Sequence, residues 1–433
     1  MATEGTSGLR SISHAWRALR HRNFQLFFAG QSISLIGTWM TRLATVWLVY
    51  HLTHSALMLG VVSFSGNIFT FLLAPVAGLL IEGVERRRLI VWTQIAAGLQ
   101  SLALAVLTLT NVITIHEVIA LAALQGLINS FDMPARQSFI VQMVGDREDL
   151  SNAIAINSSM VNGARLVGPA IAGFVIALVG TGYCFLIDAM SYIAVVISLL
   201  LMRIEIKTVK HPATLLEQLR EGWEYVSKFR PTRSILLLFG LVGLMGYPYT
   251  VLLPIFATKI LHGDATTLGW LTGASGAGAF ISAVSLALRK SVLGLGRNLQ
   301  LAAGIFGAAL MLFGLSHQLW SSLLCMLGAG FGMTQCMAIA NTLIQTMVPE
   351  EKRARVMGYY TMTFFASMPL GSLLAGFLAQ QIGAPHTVMI TGAFCIAGCI
   401  WFAFELPAIR ELVRPIYLDL GIIERPPLEA ETT

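Results

Sequence analysis

Arg86-Arg87-Arg88-Leu89-Ile90-Val91-Trp92-Thr93-Gln94-Ile95 begins a stretch that reaches Thr110 with no charged residue after Arg88. At about 1.5 Å of rise per residue, a helix over 89–110 is roughly 33 Å long, enough to cross a hydrocarbon core of about 30 Å. All of its charge sits at one end. Basic residues are retained on the cytoplasmic side of a membrane, so this stretch predicts both a span and its direction.

Working outward, apolar runs broken by short charged or Gly/Pro-containing turns predict twelve spans. They cover 24–50, 57–81, 89–110, 115–144, 152–179, 182–202, 234–258, 267–288, 299–316, 319–347, 356–381 and 386–407. Strand-like alternation is absent over these lengths, which excludes a β-barrel. Of 433 residues, 56% are apolar and 12% charged, against about 25% charged in a soluble domain. That deficit argues against a soluble enzyme, a disordered chain or a nucleic-acid binder. The segment Met1–Asn23 is polar and basic, without the apolar centre of a cleavable signal peptide. Five cysteines lie within apolar runs and read as small buried hydrophobes, not as a disulfide or metal framework. No metal or cofactor is expected. Gly-Lys-(Ser/Thr), His-Glu-x-x-His and Gly-x-Ser-x-Gly are all absent, so neither ATP chemistry nor a hydrolase centre is legible.

With the N-terminus inside, the basic residues sort by loop. Arg10, Arg17, Arg20 and Arg22 precede the first span; Arg86–Arg88, Arg147, seven between Arg203 and Arg233, Arg289, Lys290, Arg297, Lys352, Arg353, Arg355, Arg410, Arg414 and Arg425 fall in inner segments. Only Lys259 lies in an outer loop. The net charge of +6 is thereby a consequence of topology and needs no anionic partner. The expected organisation is an N-terminal cytoplasmic segment (1–23), a six-helix bundle (24–202), a linker (203–233), a second six-helix bundle (234–407) and a cytoplasmic tail (408–433). Within the linker, Leu215, Leu219, Trp223, Val226 and Phe229 recur at helical spacing and predict an amphipathic surface helix, at the membrane or along the bundle feet.

The halves repeat each other. Leu59-Gly60 is echoed by Leu268-Gly269, Met143-Val144-Gly145-Asp146 by Met347-Val348-Pro349-Glu350, Ala172-Gly173-Phe174 by Ala375-Gly376-Phe377, and Gly180 by Gly383. Two parallel six-helix repeats place a substrate site near the midplane between them.

Gly78-Leu-Leu-Ile-Glu82-Gly83-Val-Glu85-Arg86-Arg87-Arg88 resembles the loop motif of the major facilitator superfamily, with Glu82 in place of its Asp and with Gly83 and Glu85 departing from it. Gly163-Ala-Arg165-Leu-Val-Gly168-Pro169-Ala-Ile-Ala172-Gly173 is similar to the Gly-Pro motif that the family's antiporters carry in their fifth helix. Asp132-Met-Pro134-Ala135-Arg136-Gln137, Asn341-Thr-Leu-Ile-Gln345, Arg353-Ala-Arg355-Val356-Met357 and Pro369-Leu370-Gly371-Ser372 resemble the branch of the enterobactin exporter and macrolide efflux proteins. The resemblance implies an all-α membrane fold of two six-helix bundles in a bacterial inner membrane. It also implies that Gly78, Glu82, Arg86 and Arg87 form a gate loop and that Gly163, Gly168, Pro169 and Gly173 form a functional fifth-helix motif. The fourth-helix Arg of drug/proton antiporters is missing, since Ala122 holds its place before Gln125-Gly126.

Few ionisable groups lie at membrane depth, where each needs a partner or a wet site. Asp132, Arg136, Arg165, Asp188 and Arg42 are the coupling candidates. Asp132 and Arg165 sit at matched depth on spans joined by a short loop, so they are the first candidate pair; Arg136 lies one turn below Asp132 and is able to share its carboxylate. Asp188 and Arg42 form a second candidate pair. The Asp132–Arg165 pair reads first as a structural ion pair that fixes helix register and second as a proton relay, with Asp132 and Asp188 the two carboxylates central enough to carry a proton. Gln31, Gln125, Asn129, Asn162, Gln335 and Asn341 are candidate cavity residues, among aromatics such as Trp39, Tyr247 and Phe364. The function expected is a secondary active, proton-coupled exporter of a small amphipathic molecule (a drug, siderophore or metabolite), acting as a monomer. A lysophospholipid flippase of the same superfamily is the alternative, followed by a membrane enzyme.

Overall fold

The computed structural model describes residues 17–81, 84–144, 147–202, 215–289 and 291–423. Among the described residues there is no strand, and twelve helices are long and apolar enough to span a bilayer. The first six are α1 (Arg22–Thr53), α2 (Ala56–Ile81), α3 (Arg86–Leu109), α4 (Ile115–Met143), α5 (Arg147–Val179) and α6 (Thr181–Leu201). A shorter helix, α7 (Leu215–Lys228), precedes α8 (Arg230–Ile260), α9 (Ala265–Ala287), α10 (Leu295–Leu315), α11 (Leu319–Met347), α12 (Glu350–Ile382) and α13 (Ala384–Asp419).

The turns opposite the basic loops are tight. Gly180 (φ 95°) and Gly383 (φ 84°) link α5 to α6 and α12 to α13 at equivalent points of the two halves. Both need the positive φ that a residue with a Cβ adopts only under strain. In the first bundle α1 packs along α5 and α6, α2 along α4, and α3 along α4 and α6. In the second, α9 packs along α11, and α10 along α11 and α13. The chain therefore folds as two helix bundles whose neighbours are set by packing, not by sequence order.

Two elements depart from expectation. The seventh span is not one regular helix: wide turns at Val242–Gly246 and Phe256–Ile260 interrupt it. Pro248 and Pro254 remove backbone donors there. Gly246 meets the Phe306 ring so closely that an added Cβ would lie 2.0 Å from it.

The last helix does not stop at 407. Phe402, Leu406, Ile409, Val413 and Tyr417 are all buried, a three- to four-residue rhythm that carries α13 through Pro407 and Pro415 to Asp419.

The linker helix lies on a bundle foot. Val226 is buried as expected, but Trp223 is 60% exposed and rests beside Tyr359 at 6.0 Å. Glu221 pairs with Arg355, Gly222 fits against Tyr359, and Lys352 sits 5.3 Å over the Tyr225 ring. The side chains of Leu215 and Leu219 fall outside the described residues.

Candidate functional site

Two helix pairs make the main joints between the bundles, α2 with α12 and α5 with α9. Each crosses on a pair of glycines. A Cβ on Gly60 would fall 2.6 Å from the Ser372 carbonyl, and one on Gly376 would fall 2.8 Å from that of Ala56. A Cβ on Gly173 would lie 2.8 Å from the Ala265 carbonyl, and one on Gly269 would lie 2.8 Å from that of Pro169. The opposing atoms are backbone, so no side chain can turn aside; close helix approach through small residues is how membrane interfaces pack. All four glycines sit within about 9 Å of the helix ends opposite the basic loops, taking 1.5 Å per residue. Among the described residues no comparable glycine crossing joins the bundles at the basic end. The bundles are pinned together at the end opposite the basic loops, and α5 and α9 stay in backbone contact as far as Gly276 at mid-helix, where a Cβ would lie 2.8 Å from the Arg165 carbonyl.

Behind the closure lies a cavity of about 260 Å³ between the bundles, lined by residues of α1, α2, α3, α4, α5, α8, α9 and α12. Its first-bundle wall carries Trp39, Arg42, Asn67, Gln125, Asn129 and Arg165. The second bundle contributes Tyr247, Tyr249, Thr250 and Ser275, with the Tyr249 hydroxyl 2.7 Å from Ser275 Oγ across α8 and α9. Gln125 donates to Asn129 Oδ1 at 3.1 Å. Leu59, Val62, Leu104, Leu253, Leu268 and Met368 make much of the remainder apolar.

The guanidiniums of Arg42 and Arg165 converge on one indole. Their Cζ atoms lie 4.7 and 5.7 Å from the Trp39 ring centroid. Such contacts contribute about 0.5–2 kcal/mol each, less than the ~2.5–3.5 kcal/mol that insertion scales assign to a charge at the bilayer centre. Trp39 therefore offsets only part of the cost, and the rest falls to water or solute in the cavity.

Neither arginine meets its expected carboxylate. Asp132 is 4% exposed and is held by Arg136 one turn away, by Thr93 Oγ1 at 2.8 Å and by Gln94 Nε2 at 2.8 Å. The expected Asp132–Arg165 pair is corrected accordingly. Matched depth on consecutive spans is not adjacency: α4 packs along α2 and α3, whereas α5 packs along α1 and α9. The Asp188–Arg42 pair fails for a related reason. Asp188, 1% exposed, faces the α1–α3–α6 seam and accepts from Thr41 Oγ1 at 2.9 Å and Ser101 Oγ at 2.7 Å. Arg42, the next residue after Thr41, is turned onto Trp39.

Among the expected cavity residues, Gln125 and Asn129 line it and the others do not. Gln31 is buried. Gln335 bonds Ser285 Oγ at 2.7 Å, Asn341 accepts from Gln345 at 2.5 Å, and Asn162 donates to the Ser158 carbonyl at 2.8 Å. Of the fifth-helix motif, Pro169 lines the cavity and Gly173 makes the α9 crossing. Gly168 presses on α1, where a Cβ would meet Trp39 Cβ at 2.6 Å; around Gly163 nothing lies within 4 Å. Asn67, Tyr249 and Ser275 were not anticipated. Asn67 is an amide inside an otherwise apolar run, and that was a usable signal.

In the expected gate loop, Glu82 lies outside the described residues, as does the surrounding of Gly78. Arg87 donates to the carbonyls of Leu199 (2.8 Å) and Leu200 (2.7 Å), closing the C-terminal end of α6. Arg86 reaches the Ser138 carbonyl at 3.5 Å, and Arg88 pairs with Glu85 at 2.5 Å. Nearby, Asp149 takes Arg17 at 3.2 Å and His21 at 2.9 Å. The His21 hydrogen bond, helped by the charge of Arg17, holds the Asp149 carboxyl below the usual range.

Comparison with known proteins gives this arrangement a context. A family model described as a transmembrane secretion effector matches residues 13–416. The chain is 26% identical over 379 residues to a staphyloferrin A transporter of Staphylococcus aureus, covering 87% of this chain and 94% of that protein. It is 27% identical over 391 residues to the multidrug efflux pump Tap of Mycolicibacterium fortuitum, covering 87% and 93%. Among solved structures, a bacterial homologue of the iron transporter ferroportin in an inward-facing state superposes with a TM-score of 0.70 at 18% identity, over 88% of this chain and 98% of that one.

Proposed function

The chain belongs to the transmembrane secretion effector family of major facilitator transporters, and from that premise we propose that it is a secondary active exporter driven by a proton gradient. It is a transporter and not an enzyme. The solute is small and partly apolar, enters the cavity from the basic end and leaves at the other by alternating access. The observation that carries this reading is the cavity itself, enclosed between two pseudo-repeated bundles and shut at one end by two equivalent glycine crossings. A site reached from one side, with the closure made of rigid-body contacts, is the form alternating access requires. The basic loops support a cytoplasmic open end and cytoplasmic termini in a bacterial inner membrane. The efflux activity in the name of one relative supports the outward direction.

Proton coupling is assigned to Asp188, not to Asp132. Asp132 already neutralises the half-buried Arg136, so protonating it would strand a cation at membrane depth. Asp188 has hydroxyl partners only, and one of them, Thr41, lines the cavity. Proton exchange at Asp188 is thereby linked to what occupies the cavity through a single hydrogen bond.

Flux of an identified solute in proteoliposomes under an imposed pH gradient tests the reading. Gradient-driven flux is expected in wild type and is expected to be lost in Asp188→Asn, with downhill exchange retained. Undiminished gradient-driven flux in Asp188→Asn removes the coupling assignment. Flux indifferent to any ion gradient removes active export.

A further inference from the structure

We infer that the transported solute carries an oxyanion, a carboxylate by preference, which docks on Arg42 and Arg165 beside Trp39. This deepens the export reading and rests on it for the word transported. The site itself stands on separate observations.

Both guanidiniums line the cavity, from α1 and from α5. Both lie over the same indole ring, and a cation–π contact takes up no hydrogen-bond acceptor, so guanidinium N–H groups remain able to donate. Among the described residues, no carbonyl, hydroxyl or carboxylate takes a hydrogen bond from either one, and the cavity lining contains no Asp or Glu. The contrast lies within the same bundle. Arg136, the other arginine at membrane depth, has a carboxylate one turn away. Arg42, which is exposed, and Arg165, which is half-buried, are thus two unneutralised cations at one cavity wall, and an anion brought in by the solute completes them.

A guanidinium presents two parallel N–H groups that match the two oxygens of a carboxylate. Asn67, Gln125 and Asn129 lie in the same cavity, so the anion's neighbours on the solute are able to be polar. Beyond them Leu59, Val62, Leu268 and Met368 form a wall for an apolar body. A volume of about 260 Å³ is at the small end of ligand pockets and fits a compact solute. An organic cation would have to enter beside two like charges, so the cavity is built to reject it.

Binding is measured apart from transport, on purified full-length protein in nanodiscs, by titration calorimetry with one apolar body bearing different heads. The probes are 4-phenylbutyrate, the matching phosphonate, the matching primary amide and 4-phenylbutylamine, at up to millimolar concentration. The carboxylate is expected to bind about tenfold or more tightly than the amide, and the amine is expected not to bind. The phosphonate arm decides between a carboxylate and a phosphate-like head: binding tighter than the carboxylate would replace the preference while keeping the oxyanion. Arg42→Gln and Arg165→Gln should each weaken carboxylate binding about tenfold, with Arg42→Lys and Arg165→Lys retaining part of it in protein whose Tm is unchanged. Amine or amide binding equal to the carboxylate overturns the inference. So does carboxylate binding that survives Arg42→Gln/Arg165→Gln, and so does the absence of any oxyanion binding. Uptake of labelled 4-phenylbutyrate into liposomes is read separately; binding without uptake would count against the transport reading and leave the oxyanion site standing.

Discussion

Gly173→Ala adds a single methyl group to α5 where it crosses α9. The new Cβ would sit 2.8 Å from the Ala265 carbonyl oxygen, 3.1 Å from Thr266 Cα and 3.2 Å from Gly269 Cα. All three are backbone atoms, so relief requires moving one helix against the other. Overpacking of this kind costs about 1–3 kcal/mol. The contact belongs to the form that is shut opposite the basic loops, so the cost falls on that form and the opposite-facing form escapes it. The population ratio should shift by roughly 5- to 150-fold toward opening at that end. Gly163→Ala is the matched control, because the same methyl group on the same helix meets nothing within 4 Å.

Spin labels at Val112 and Trp320, exposed on the two bundles at the closing end, report the separation by pulsed dipolar spectroscopy in a cysteine-free background. Gly173→Ala should enrich the long distance, and Gly163→Ala should leave the distribution as in the parent. Transport should fall in the first variant and persist in the second. If Gly173→Ala folds to normal levels with an unchanged distance distribution, the glycine crossing does not hold the closure and the rigid-body reasoning fails. Gly60→Ala, opposed at 2.6 Å by the Ser372 carbonyl, should reproduce the Gly173 result at the equivalent crossing.

Other outcomes follow from single contacts. Asp132→Asn leaves the half-buried Arg136 without its counter-charge and should destabilise the protein by about 1–3 kcal/mol, while Asp132→Asn/Arg136→Gln should recover much of the loss in detergent melting; purely additive defects would show the two groups are uncoupled. Arg87→Ala removes the donors that close α6 and should cost about 1 kcal/mol, visible as faster amide exchange at 199–201 with α3 unaffected. The folded-state carboxyl of Asp149 is held low by His21 and Arg17, so its contribution is present above the ordinary Asp value of about 4 and is lost as pH falls below it. Proteolysis at the 17–21 turn should therefore rise on acidification below that value, and Asp149→Asn should show the acid-side susceptibility already at neutral pH.

Length and charge pattern made the twelve spans and their grouping legible, because a membrane span is a local property of about twenty residues. Side-chain partnership is not local, and there the sequence misleads. Asp132 and Arg165 share a depth, yet helix order in space puts them on different seams. Arg136 was the legible partner, since four residues along one helix is a fixed geometry. The continuation of α13 to Asp419 was also legible in the buried rhythm of Leu406, Ile409 and Val413. The charges at Arg410 and Arg414 masked it by lowering the average hydropathy. The breaks in α8 were marked by Pro248 and Pro254, but a proline announces a lost hydrogen bond without saying what geometry replaces it.

The repeats carry more than an architecture. Gly60 is the counterpart of Gly269, and Gly173 of Gly376, in the two halves of the sequence; in space Gly60 meets Gly376 and Gly173 meets Gly269. Each crossing thus pairs one member of one repeat with one member of the other, and the closure is two-fold pseudosymmetric. Ala56 and Ala265, whose carbonyls oppose these crossings, are related by the same offset that relates Gly60 to Gly269. The cavity breaks that symmetry. By the offset that relates Gly173 to Gly376, Arg165 corresponds to Met368, which lines the same cavity from the second bundle. Positive charge is confined to α1 and α5, and the second bundle presents Met368, aromatic rings and hydroxyls instead. A symmetric closure lets the two bundles rock as equals, while an asymmetric lining keeps a charged solute with the first bundle throughout the movement. The second bundle then slides along the solute's apolar side, where contacts are non-directional and re-form at little cost. Recognition on one bundle and sliding on the other allow the same solute to be held in both facing states without rebuilding its polar contacts.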